Sequence, residues 1–360
     1  MYKESNFLKG LLTDLLDDAY PLKEVFVIID EPTEKSLSLA KEFRNRVSFI
    51  LNKVRVGKAN ALNNTEKRAD GDVLLFLDSD VQLQDKEDSF LKVLEREMQG
   101  VNIIDIKKCT PRTSFLSTLV NYEYLSSSLT SFFFSKIVKK SLGLNGAAFA
   151  IRREAFEKLG GFRRSFNDDF DLITRSFMKN LSFKYTNKVS VSIKPQSSWR
   201  EWYKQRKRWG VATGVWLKDY HRPLARVLAK SPQTVLTALI LLMPSLLLFL
   251  LNFTVPDFIF YNFLILASSI VPKIANIALI PLLLVPFGLS LTKYIILTAA
   301  TYSALASIYY LAARKLGYPF NPFEFLFYYI VYSPISLSMH ILGIVRVLFN
   351  KSMADLDWKL

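Results

Sequence analysis

Charge is spread so unevenly along this chain that its two parts cannot fold in the same solvent. Between Ser231 and Phe349 only seven side chains ionise: Asp257, Lys273, Lys293, Arg314, Lys315, Glu324 and Arg346. The 47 Lys and Arg and 32 Asp and Glu of the 360 residues therefore lie almost wholly before Ser231. An α-helix needs about 20 apolar residues to cross a bilayer core. Pro232 to Phe253, Tyr294 to Ala313 and Pro322 to Val345 meet that requirement. Phe258 to Leu291 is too long for one straight span and, with Pro272-Lys273 inside it, too tight for two full ones. The expectation is a polar domain over 1–225, a membrane domain of about four helices over 226–350, and a tail over 351–360. Arg222, Arg226 and Lys230, just before the first span, place the polar domain in the cytosol of a multi-pass membrane protein by the positive-inside rule. No apolar run opens the chain at Met1, so the first membrane helix is expected to act as an internal insertion signal.

A net charge of +15 suits an anionic partner, either nucleic acid or a membrane surface. The apolar third and the acidic clusters described below speak against nucleic acid. A single cysteine, Cys109, excludes an intrachain disulfide, and with two His the chain cannot build the usual structural zinc site.

In the polar half, helical spacing over Asn6 to Leu16 precedes an apolar strand, Glu24 to Ile29, with Asp30 at its end. A helix over Thr33 to Arg44, a strand over Val47 to Leu51, a helix over Lys58 to Ala69 and a strand over Asp72 to Leu77 follow. This alternation predicts an α/β fold with parallel strands, whose ligands bind at the carboxyl ends of the strands. Asp30, Asp78 and Asp80 stand at such ends. Pro111 to Lys140 has amphipathic spacing, fitting a helix against the sheet somewhat better than one against a membrane. Helices are also predicted over Arg153 to Leu159, Asp169 to Lys179, and about Ser198 to Lys218, the last carrying four of the five Trp.

Four constellations can carry chemistry, and each has a plainer reading. Asp78-Ser79-Asp80 can hold a hard divalent cation with diphosphate oxygens, or can be a strand-ending turn. In Gly57-Lys58-Ala59-Asn60-Ala61-Leu62-Asn63, Lys58 can reach a phosphate, or can start a solvated helix. Asn167-Asp168-Asp169-Phe170-Asp171 packs three carboxylates into four residues. Like charges so close raise a pKa toward general-base work unless the cluster is simply an acidic first helical turn. Gln205-Arg206-Lys207-Arg208-Trp209 offers a guanidinium for a departing diphosphate and an indole for a sugar face, or is a basic, Trp-anchored interfacial helix.

Taken in this order, the motifs resemble those of the membrane-embedded family 2 glycosyltransferases, a group that includes cellulose, chitin and hyaluronan synthases and ceramide glucosyltransferases. The resemblance runs from Tyr2 to about Trp216. It rests on Asp30 after a strand, G-K-x-x-A-L-N at Gly57 to Asn63, D-x-D at Asp78 to Asp80, a glycine and R-R-E-A…G-G-F block at Gly146, Arg152 to Ala155 and Gly160 to Phe162, E-D-x-D-L as Asp168 to Leu172, and Q-x-x-R-W at Gln205 to Trp209. It implies a GT-A type nucleotide-sugar-binding domain followed by transmembrane helices, a Mg or Mn ion, and inversion at the anomeric carbon. By the same resemblance Asp30 contacts the nucleotide base, Lys58 and Asp78 lie near the diphosphate, and Asp80, with Asp78, ligates the metal. Asp169 is the general base with Asp168 beside it, while Gln205, Arg208 and Trp209 hold the diphosphate and the acceptor.

The sequence departs from the pattern in three places. Met1 begins where the family's first strand has already ended, so the domain is expected to lack a central strand, with either a start upstream of Met1 or a crippled copy as the cause. Asp168 stands for Glu, and Asp30-Glu31-Pro32-Thr33 stands for D-D-G-S, which alters the nucleotide-base contact. The expected activity is transfer of a sugar from a UDP- or GDP-linked donor to a membrane lipid or growing glycan at the cytosolic face. The alternatives are a processive polysaccharide synthase and a non-catalytic paralogue acting as a membrane scaffold.

Overall fold

The computed structural model describes residues 1–84, 89–165, 167–256, 260 and 289–349. The chain forms two compact units, Met1–Pro232 with the stretch from Met339 onward, and Gln233–Ser338.

In the first unit, α1 (Leu8–Asp17), β1 (Phe26–Asp30), α2 (Glu34–Phe43), β2 (Ser48–Asn52), α3 (Lys58–Glu66) and β3 (Val73–Leu77) alternate close to the expected limits. Then follow β4 (Val81–Leu83), α4 (Phe90–Glu97), β5 (Ile103–Cys109), α5 (Phe115–Phe133), β6 (Ala148–Arg152), α6 (Arg153–Leu159), α7 (Asp168–Met178), β7 (Phe183–Ile193) and α8 (Trp199–Lys230). The strands do not form the parallel sheet the alternation predicts. β1 and β2 pair in parallel as a separate ribbon, and the main sheet has the order β3-β6-β5-β7-β4, in which only β5 and β7 are parallel neighbours. Alternation fixes the order of elements and leaves the pairing open, and β6 runs against both of its neighbours.

The α/β layer is thus in two pieces. The outer edge of β1 carries one further rung, where Tyr2 bridges Asp30, and the Asp30 N–H donates to the Met1 carbonyl at 2.9 Å. β3 pairs with β6 on one side and with no strand on the other among the described residues. Glu24 ties the entry ends of β1 and β3 together, its carboxylate accepting from the Asp70 and Gly71 N–H groups at 2.9 and 3.0 Å.

Alternating side chains cover the two sheet faces. Ala148 and Ala150 of β6 lie with Leu94 and Met98 on the α4 side. Phe149 points the other way into a ring cluster with Phe76, Phe156 and Phe162, with centroids 5.1 to 6.4 Å apart. Each such ring pair adds about 0.5–1.5 kcal/mol beyond area burial. α5 buries Leu116, Leu119, Val120 and Leu125, so it packs within the domain. The last polar helix continues beyond the expected limit, since α8 runs unbroken through Pro223 to Lys230.

In the second unit the apolar run expected to span as one helix from 232 to 253 is two helices, α9 (Pro232–Leu242) and α10 (Ser245–Thr254). The break falls at Met243-Pro244, because proline has no N–H to donate and its ring clashes with the preceding turn. α11 (Leu289–Leu316) and α12 (Pro322–Phe327) follow, and a π turn leads from α12 into α13 (Ser333–Phe349). Two described helices are long and apolar enough to cross a membrane, Lys293–Leu316 and Pro322–Phe349, each with a mean hydropathy of 1.5. The ambiguous stretch from 258 to 291 lies almost wholly outside the described residues. Ser245 and Ser333 hydroxyls meet at 2.9 Å, and the buried Lys293 ammonium donates to the Val255 carbonyl at 2.5 Å. A lysine there answers carbonyls that the end of α10 leaves without helical partners.

Candidate active site

The site is built where β1, α3, β3, the turn before β6 and the start of α7 converge. At the end of β3, the Asp78 N–H donates to the Ala147 carbonyl at 2.9 Å, anchoring the acidic turn to the turn before β6. Gly146, one residue earlier, lies under the Asp169 side chain. Its N–H donates to that carboxylate, and a methyl group at this position would overlap it. The glycine is needed for close approach.

Structure sorts the three carboxylates of α7, which the sequence leaves equivalent. Asn167 caps the helix by accepting from the Phe170 N–H at 3.3 Å, so none of the aspartates is spent on capping. Asp171 is structural: Arg175 pairs with it at 2.7 Å and the Tyr220 hydroxyl donates to it at 2.5 Å. Asp168 accepts from the Ser165 N–H at 3.2 Å, and burial raises its pKa to about 6. Asp169 has its Oδ1 shielded from solvent with no hydrogen-bond partner. Burial pushes its pKa up, the Lys58 and Lys108 charges pull it down, Asp78 pushes it up again, and the net shift is upward. One backbone donor, on Gly146, reaches this carboxylate, and its other oxygen lacks the donors that would quiet its basicity.

Lys58, at the first position of α3, reaches Asp78 at 2.9 Å. Burial lowers its pKa, but the Asp169 and Asp78 charges outweigh burial and keep it cationic. Its side chain and that of Asp78 remain 45% and 40% exposed, open to a ligand. Asp80 is half-buried, and burial followed by the Asp78 charge raises its pKa. A carboxylate whose ionisation its neighbour hinders suits a cation. Among the described residues no three His, Cys, Asp or Glu gather as a complete ligand set. The pair therefore fits a hard ion that takes its other oxygens from a diphosphate and water, as Mg typically does, and does not fit an all-protein cage.

Asp30 is buried, and its carboxylate accepts from Asn52 Nδ2 at 2.9 Å and from the Val56 and Gly57 N–H groups at 3.1 Å each. It shapes the loop that delivers Lys58. Asn63 links two other motif blocks: it donates to the Phe162 carbonyl at 2.8 Å and accepts from the Phe162 N–H at 2.9 Å. Arg153 likewise fastens α6 to the turn before β3, reaching Glu66 at 2.8 Å and the Ala69 carbonyl at 2.6 Å.

On α8 the motif residues separate. Gln205 accepts from Gln196 at 2.9 Å and from Arg206. Arg206 is 1% exposed, forms a two-point pair with Glu123, and stacks on Trp209 with its guanidinium carbon 4.3 Å from the ring centroid. Arg208 is exposed, and among the described residues no ion pair holds it. At 100° per residue it points about 200° away from Arg206. Arg208, which the motif assigns to the diphosphate, is thus the exposed arginine, and Arg206 is the packed one. The available signal was Trp202 and Trp209, which flank Arg206 at i−4 and i+3 on one helix face. Tyr124 joins the two regions: burial raises its pKa, and it feels the charges of Arg206, Glu123 and Asp80. α8 is fixed to α7 through Trp216, which donates to the Thr174 hydroxyl at 2.8 Å and stands edge-on to Phe170.

Across 219 residues, 58% of this chain and 52% of the relative, the sequence is 22% identical to probable glycosyltransferase YdaM of Bacillus subtilis (strain 168). Across 86 residues, 23% of this chain and 21% of the relative, it is 33% identical to a poly-beta-1,6-N-acetyl-D-glucosamine synthase of Staphylococcus epidermidis. The chain thus spans about half the length of the first relative and less of the second. The fold is shared with a mannosyltransferase, PcManGT from Pyrobaculum calidifontis, solved in complex with GDP-Man and Mn2+. The TM-score is 0.56 at 17% identity, covering 98% of this chain and 86% of that one. Residues 1–160 match the sequence profile described as glycosyl transferase family 2, which makes this part of the chain a domain of that family.

Proposed function

We propose that the chain transfers a sugar from a nucleotide sugar to a lipid or glycan acceptor at the membrane, with inversion at the anomeric carbon. The observation that carries this reading is the Asp169 carboxylate, seated on Gly146 with one oxygen unpartnered and with Lys58 and Asp78 close enough to act on its charge. In the reaction Asp169 takes the proton of the acceptor hydroxyl while that oxygen bonds to the anomeric carbon. The bond from that carbon to the diphosphate breaks on the opposite face, and the nucleoside diphosphate leaves with the electron pair. Lys58 is placed to bind the diphosphate as a point charge, and Asp30 holds the loop that carries it. Asp80, with Asp78, would hold a Mg or Mn ion, whose chemistry there is neutralisation of the charge developing on the diphosphate. Gln205 and Trp209 sit on the acceptor side, and Arg208 is free to swing toward a departing anion. The apolar helices, after a basic helix, support a multi-pass membrane protein whose catalytic domain faces the cytosol.

The mannosyltransferase solved with GDP-Man supports a GDP-linked donor, and the poly-beta-1,6-N-acetyl-D-glucosamine synthase relative supports an N-acetylglucosamine donor and a growing glycan as acceptor. The test is nucleotide release from a panel of UDP- and GDP-sugars by detergent-purified protein with Mn, alongside Asp169→Asn and chelator-treated samples. Metal-dependent release that the Asn variant lacks is the expected result. Release unchanged by Asp169→Asn would sink the assignment of the base, and no release from any donor would favour the scaffold reading.

A further inference from the structure

The proposed transferase uses Lys58 and Arg208 and leaves most of the chain's large positive charge without a role, and the structure locates much of that charge on one helix face. α8 presents Arg200, Lys204 and Lys207 before its mid-point and Lys218, Arg222 and Arg226 after it, all exposed. Arg208 and Lys230 extend the two groups. At 100° per residue, all eight cations fall within an arc of about 140°. The acids of the helix, Glu201 and Asp219, lie inside that arc about 20° from one edge, and Glu201 is occupied by the Ser197 N–H and hydroxyl at 3.0 and 2.8 Å. The opposite face is committed to the catalytic domain through Arg206, Trp216 and Tyr220.

Between the two cation groups the same arc is occupied by an apolar helix. Val211 and Val215 pack on Val347 of α13. Gly210 and Gly214 let the two backbones meet: a Cβ at Gly214 would lie 3.0 Å from both the Gly343 carbonyl oxygen and the Ile344 Cα, and one at Gly210 would overlap the Met339 carbonyl. The docked part of α13 still exposes Leu342, Leu348 and Phe349, 64 to 82% of each, and it ends a 28-residue helix with the composition of a membrane span. Cations thus flank the end of an apolar helix on one surface. Water solvates the exposed leucines poorly, and a bilayer interface accepts both groups together, with apolar side chains in the acyl region and ammonium and guanidinium groups among phosphates.

We propose that this face of α8 is a docking surface for anionic lipid headgroups, which bind on both sides of the docked end of α13. The inference rests on reading α13 as membrane-embedded and is independent of which sugar is transferred.

To test it, full-length protein in a mild nonionic detergent is mixed with equimolar phosphatidylglycerol and phosphatidylcholine, and retained lipids are counted by native mass spectrometry. Phosphatidylglycerol should be preferred about tenfold at low salt and less as salt rises, since exposed charges are screened. A fourfold variant, Lys218→Gln with Arg222→Gln, Arg226→Gln and Lys230→Gln, should lose most of that preference. A second variant, Arg200→Gln with Lys204→Gln and Lys207→Gln, should lose part of it and serves if the first does not fold. Lys41→Gln with Lys67→Gln and Lys92→Gln, which removes exposed charge elsewhere, should keep it. Equal retention of both lipids by the wild type, or equal losses in the control and α8 variants, would overturn the proposal. So would an α8-dependent affinity for single-stranded RNA that displaces the lipid. If the protein stays monodisperse without detergent, the membrane reading of α13 fails, a result distinct from any lipid preference.

Discussion

Replacing Asp169 by Asn should stabilise the protein while it abolishes transfer. The carboxylate has one oxygen shielded from solvent without a partner, and burial raises its pKa above the ordinary carboxylate value. The sign follows from linkage: a carboxyl whose folded pKa lies above its unfolded one favours the fold only while protonated, and that contribution is lost as pH rises through the folded pKa. At pH 8 the native state therefore carries a penalty that an amide does not. An unsatisfied buried polar group costs about 1–3 kcal/mol. Lys58 and Lys108 offset part of it here, which leaves roughly 1 kcal/mol to be recovered, or about 2–4 °C for a domain of this size. The assay is thermal unfolding in one detergent at a fixed scan rate, at pH 5 and pH 8, for wild type and Asp169→Asn. The variant should melt higher at pH 8, with the gap narrowing toward pH 5. A variant that melts lower at pH 8 would mean that the lysines already overcompensate burial and that the site stores no strain in this charge.

Two other perturbations separate roles that the sequence merges. Gly146→Ala forces the Asp169 carboxylate off its seat and should cut nucleotide release about 100-fold, since small displacements of a reacting group have effects of that order; melting should change far less than activity, and equal losses in both would show a purely structural glycine. On α8, Arg206→Met removes one partner of a buried pair and should destabilise by about 3–5 kcal/mol, whereas Arg208→Gln should stay within about 0.5 kcal/mol of wild type in melting experiments. The reverse order would refute the assignment of Arg206 as the packed residue.

Much of this protein was legible in its residues, because the signals are local. Charge depletion after Ser231 marks the apolar helices wherever they pack, and helix–strand alternation before Asp78 reflects periodicity that neighbouring residues enforce on one another. The motif order likewise brings Asp30, Lys58, Asp78, Asp80 and Asp169 together from the residues alone.

What only tertiary structure decided are matters of pairing and facing. Three aspartates of α7 look alike in sequence; Tyr220 of α8 joins the local partner Arg175 on Asp171, the loop before the helix folds Ser165 onto Asp168, and Gly146 from the turn before β6 seats Asp169, so the three have separate fates. Two arginines of α8 differ by two positions, and the helical turn buries Arg206 against Glu123 from α5 while leaving Arg208 in solvent. Strand order was hidden for the same reason, since β6 finds β3 and β5 through contacts distant in the chain. Composition and period determine what each segment becomes; long-range packing determines which of its side chains keeps an unpaired charge, and the chemistry depends on that.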